Sequence, residues 1–124
     1  MDATLFDRAG GQPFFDDLVA HFYAGVATDH VLRPMYVESL DVAARHLALF
    51  LAQYWGGPRT YEDERGHPRL RMRHAAFPIT REAREAWLRH MDAALVAVGG
   101  RLSDSDRDEL TAYLHGAARQ LQNL

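Results

Sequence analysis

The chain has 124 residues, 48% of them hydrophobic, and a formal net charge of −3, which suits one domain over residues 1–124 and argues against a general nucleic-acid binder. No cysteine is present, so disulfides, thiolate zinc sites, iron–sulfur clusters and cysteine nucleophiles are excluded. The opening MDATLFDRAGG lacks the basic start and apolar core of a signal peptide, and no run reaches the roughly 18 apolar residues of a membrane span, so a soluble cytoplasmic protein is expected.

In chain order, Thr4 to Ala9 suits one or two helical turns, stopped by Gly10-Gly11. Pro13 fits the first turn of the next helix, where its missing N–H costs little. Phe14, Phe15, Leu18, Val19, Phe22, Tyr23 and Val26 then recur at spacings of three and four, a single buried stripe. Thr28-Asp29-His30 breaks it, and Val31 to Tyr36, limited by Pro34, predicts a corner with Leu32, Met35 and Tyr36 turned inward. Asp41 is the expected N-cap of a helix burying Leu47, Phe50, Leu51 and Tyr54, which ends at Gly56-Gly57-Pro58. A polar loop to Pro68 is expected next. Thr80 caps a helix carrying Ala83, Trp87, Met91, Ala94, Leu95 and Val98, closed by Gly99-Gly100. Ser103 and the acidic residues after it open a last helix, whose stripe is Leu110, Tyr113, Leu114, Ala117 and Leu121. The fold class is all-α.

Gln53 to Phe77 is the one stretch without a simple period, and it holds Arg59, Arg65, Arg69, Arg71, Arg73, His67 and His74. None of the seven histidines pairs with another at HxxxH spacing, which leaves a two-histidine metal site without support. A lone histidine is commonly a surface or satisfied side chain. His74 nevertheless follows an irregular loop, with Leu70, Met72 and Phe77 beside it, and haem is a cofactor that needs only one imidazole from an all-α pocket. Tyr23, Tyr36 and Trp87 are either core residues with backbone partners or hydrogen-bond donors over a bound ligand. The arginines form a solvated face, a stacking surface for nucleic acid with Tyr54, Trp55 and Tyr61, or partners for haem propionates. Gly56-Gly57-Pro58-Arg59 has neither the spacing nor the lysine of a phosphate-binding loop.

Taken together, Gly10-Gly11, Phe22-Tyr23, Val31-Leu32-Arg33, Tyr36, the run from Gln53 to Tyr61 (QYWGGPRTY) and the run from Arg65 to His74 (RGHPRLRMRH) resemble a group II truncated haemoglobin, closest to the actinobacterial O type, over essentially the whole chain. The resemblance implies a two-over-two helical sandwich around haem b (iron protoporphyrin IX), with His74 as the iron's proximal ligand. It places Tyr23, Tyr36 and Trp87 on the distal side, Ala43 at the distal gate, and Leu47, Phe50 and Phe77 along the haem. Tyr61, His67 and Arg73 would neighbour the propionates. The implied activity is reversible binding of O2, with CO and NO as further ligands; the alternative is a redox enzyme, an NO dioxygenase or a peroxidase-like activity. A reductase and a homo-oligomer remain open as partners, and neither nucleic acid nor a membrane is expected.

Overall fold

A computed structural model describes residues 3–124. Among these residues all regular structure is helical: α1 (Leu5–Ala9), α2 (Gln12–Val26), a 3₁₀ turn at Arg33–Met35, α3 (Leu40–Tyr54), α4 (Thr60–Arg65), α5 (Leu70–His74), α6 (Arg81–Val98), a second 3₁₀ turn at Gly99–Arg101, and α7 (Asp104–Leu121).

Side-chain oxygens set most of the helix starts. Thr4 and Asp7 form a reciprocal capping box on α1, and Gly10, at φ +98°, ends that helix in the left-handed region that suits glycine. Thr80 accepts from the Ala83 amide, and Ser103 from the Asp106 amide, satisfying donors that a helix start leaves orphaned. On α3 the cap is Ser39, which accepts from the Val42 amide, and not the expected Asp41. Asp41 sits two residues after the cap, in the first turn, where its charge still complements the positive end of the helix dipole.

The apolar stripe of α2 is buried as its spacing predicts, from Phe14 to Val26. This helix packs against α3 and against α6, while α6 also packs on α7, so α2 with α3 and α6 with α7 make the two layers of the domain. The α2–α6 contact is close at Gly25, where a Cβ would collide with the His90 imidazole. Two expectations need correction. The polar segment from Pro58 to Pro68 is not simply a loop: it contains α4, which docks Tyr61 inward and is held by the Glu62 amide bonding to Gln53 Oε1. Tyr54 is not buried with its stripe; it is 52% exposed and stacks on Tyr113 of α7, with centroids 4.1 Å apart. No helix among the described residues is long and apolar enough to cross a membrane.

Candidate functional site

A cavity of about 470 Å³ opens between the corner after α2 and helices α3, α5, α6 and α7. That lies within the range of roughly 300–1,000 Å³ over which cofactor and small-molecule sites fall. Its walls are mainly apolar, with Leu32, Leu51, Ile79, Leu114 and Leu121 among them. Ten residues singled out in the sequence line it: Tyr23, Tyr36, Ala43, Leu47, Phe50, Tyr61, Arg73, His74, Phe77 and Trp87. His67 does not. It is exposed, and its Nδ1 accepts from the Arg69 amide at 3.1 Å.

His74 is the last residue of α5 and half-buried. Its Nδ1 lies 2.7 Å from the Leu70 carbonyl oxygen one turn earlier. A carbonyl can only accept, so Nδ1 carries the proton and donates it, which leaves the lone pair on Nε2. The ring is thus fixed in one tautomer by its own helix, the arrangement that orients a metal-ligating histidine. No group of three His, Cys, Asp or Glu side chains that could hold a metal ion among themselves occurs among the described residues.

From α2 and the corner come the two phenols. The Tyr23 and Tyr36 rings meet edge to face, 5.5 Å apart at 82°. Burial pushes the pKa of Tyr23 well above the ordinary tyrosine value, with the charge and hydrogen bonding of Tyr36 adding to the rise. Burial also raises Tyr36, while its interaction with Tyr23 pulls the other way. Both therefore keep their protons at neutral pH and remain donors. Trp87 is seated by Phe22, its ring 5.2 Å away. Tyr61, buried, braces Phe50 edge to face at 5.6 Å.

Charge gathers where exposed Val37, Glu38 and Arg65 line the cavity and open it to solvent. His46 stands there between Arg65, 3.2 Å away, and Glu38, at 3.9 Å. Burial, then the neighbouring Arg65 cation, lowers its pKa. Arg73 is partly spoken for: its Nε donates to the Pro68 carbonyl and its Nη2 to that of Arg65, so it braces the turn between α4 and α5. Arg84 also lines the cavity, and its Nε is buried without a hydrogen-bond partner. Neither His46 nor Arg84 stands out in the sequence as a site residue. Spacing was the available signal, since His46 lies three residues after Ala43 and Arg84 three before Trp87, each on the face of a residue already singled out.

Comparison with known proteins identifies the family and the fold. The profile of the family described as bacterial-like globin matches residues 4–123. A Bacillus subtilis protein named group 2 truncated hemoglobin YjbI is 42% identical over 116 residues, 94% of this chain and 86% of that protein. The structure of a thermostable hemoglobin from the actinobacterium Thermobifida fusca superposes with a TM-score of 0.94 at 48% identity, covering 98% of both chains. That of a hemoglobin from the thermophilic phototrophic bacterium Chloroflexus aurantiacus also gives 0.94, at 44% identity, covering 99% of this chain and 100% of that one.

Proposed function

The chain belongs to the bacterial-like globin family as a group 2 truncated haemoglobin, a haem protein that binds oxygen, and on that premise we propose that His74 holds haem b in the cavity described above. The observation that carries the proposal is the Nδ1–H···O bond from His74 to Leu70, which reserves Nε2 for a metal.

The cavity suits the group. Its apolar walls would accept a flat macrocycle, one imidazole would hold its iron, and Arg65 and Arg73 put cationic donors, with His46 between Arg65 and Glu38, where the cavity opens and acidic side groups would emerge. Leu47, Phe50 and Phe77 contribute packing surface, and Tyr61 joins the same lining. Bound there, haem supplies an iron centre that takes O2, CO and NO. The chain's own contribution is to orient the imidazole, exclude water with apolar walls, and aim the donors of Tyr23, Tyr36 and Trp87 at a polarised diatomic ligand. In such a low-dielectric setting those hydrogen bonds are stronger than in water. Ala43, small and buried in the same wall, leaves the ligand's path unobstructed. A reductase that returns the iron to its ferrous state belongs to the same proposal.

The test is absorption spectroscopy of the purified protein and of His74→Ala. The wild type is expected to show a Soret band, and the variant to lose it or to regain it only with added imidazole. Unchanged haem content and an unchanged spectrum in His74→Ala would remove the assignment.

A further inference from the structure

His74 is fixed at two points, and only one of them lies in its own helix. The Leu70 carbonyl sets the imidazole, but α5 has five residues and carries exposed Arg71 and Met72 on its outer side. The segment after it, Ala75 to Pro78, exposes all its residues except Phe77. Little apolar burial holds this backbone, and such segments open at low cost unless something else ties them down.

The tie comes from the residues that follow α7. The Asn123 side chain spans the segment: Nδ2 donates to the Phe77 carbonyl at 2.9 Å and to the His74 carbonyl at 3.4 Å, while Oδ1 accepts from the Ile79 amide at 2.9 Å. Its backbone adds a further bond, Asn123 N–H to the Ile79 carbonyl at 3.0 Å, and the Leu124 amide reaches the same oxygen at 3.2 Å. The amide's orientation follows from its partners, because a backbone N–H needs the oxygen and two carbonyls need the nitrogen. Five hydrogen bonds thus connect Asn123 and Leu124 with His74, Phe77 and Ile79. The connection also reaches the cavity from another side, since α7 supplies Leu114, Ala117, Ala118 and Leu121 to its lining. α7 thus supplies a wall of the site, and the residues just after it supply the fastening of His74.

Resting on the haem assignment above, we propose that Asn123 is a positioning residue for His74: it fixes the backbone from which the imidazole reaches into the cavity, and through it the strength and geometry of the iron–histidine bond. The residue type matters as well as the location. Aspartate has the same shape and keeps the acceptor for Ile79, but it sets a carboxylate oxygen against the carbonyls of His74 and Phe77. Alanine removes both functions and leaves the backbone pair with Ile79.

The experiment uses the full-length holoprotein as wild type, Asn123→Ala and Asn123→Asp. Resonance Raman of the ferrous, ligand-free form reads the iron–histidine stretching band, and transfer to excess apomyoglobin reads the rate of haem loss. Both variants are expected to shift or broaden the band and to release haem roughly three- to tenfold faster, the scale of one lost hydrogen bond. Asn123→Asp should be at least as affected as Asn123→Ala despite its better shape match. Should both variants keep the wild-type band and haem-loss rate while only their melting temperature falls, Asn123 is structural and the proposal is overturned. A wild type with haem but no iron–histidine band would overturn the haem ligation first, which separates the two failures.

Discussion

At the scale of single residues, the site depends on where protons sit. Tyr23 and Tyr36 are both held protonated by burial, so each keeps a hydrogen to donate to a bound ligand. Replacing Tyr23 with Phe removes a donor to a polarised ligand, a loss of about 1.5–3 kcal/mol, and O2 should leave roughly tenfold faster or more. Trp87→Phe should act in the same direction. Stopped-flow displacement of O2 by CO measures both, and off-rates equal to wild type would mean these side chains only pack. The sequence brought these residues forward because aromatic donors recurred on helical stripes and the family motif matched them. His74's tautomer was legible only as far as the residue type. Its partner is a backbone carbonyl, and sequence says nothing about which carbonyl faces an imidazole.

At the scale of elements, the chain is held by polar pins that join parts distant in sequence. Asp29 stands at the corner after α2 with its side chain 8% exposed, where Oδ1 accepts from the Val31 and Leu32 amides and Oδ2 meets His90 of α6 at 2.6 Å, with Arg89 at 3.4 Å. Its pKa lies well below the ordinary carboxylate value, first because of the His90 bond and then the Leu32 amide. A depressed carboxyl stabilises the fold in full above its unfolded value of about 3.9 and loses that contribution as pH falls further. Asp29→Asn should therefore cost about 2–4 kcal/mol at neutral pH and flatten the decline of stability below about pH 4, measured by urea titration across pH. An unchanged acid limb would place the acid sensitivity elsewhere. Such pins were illegible in advance, since Asp29 and His90 lie 61 positions apart and neither has a local signature. The long helices were legible because their burial follows a period. α4 was not: Tyr61 is its one buried residue, and its register comes from Gln53 on the preceding helix. Tyr54 shows the opposite failure, where the period holds but the ring finds Tyr113 at the surface instead of the core.

For the molecule as a whole, an apolar cavity of about 470 Å³ is a large space in a core this size. Whatever fills it binds the folded state and not the unfolded chain, so it stabilises by mass action. At a ligand concentration one hundredfold above Kd the gain is about 2.7 kcal/mol, which for a domain of this length corresponds to several degrees in melting temperature. Acid–acetone removal of haem is expected to lower the melting temperature by at least that much, with recovery on adding hemin back. Equal melting curves with and without haem would contradict a cofactor that occupies the core.

The brevity of α5 has a consequence for the order in which the molecule assembles. An isolated helix shorter than about 12–15 residues is marginal in water, because nucleating its first turn fixes several dihedrals for one hydrogen bond. With five residues and no side-chain cap, α5 has no independent existence, whereas α2, α3, α6 and α7 have 15 to 18 residues each. The four long helices can therefore collapse first, and α5 takes its turn only after α7 and the residues beyond it provide a surface to close upon. In folding kinetics, mutations in α5 should leave the refolding rate nearly unchanged and appear in the unfolding rate. The histidine that the site depends on is then among the last residues to reach its place.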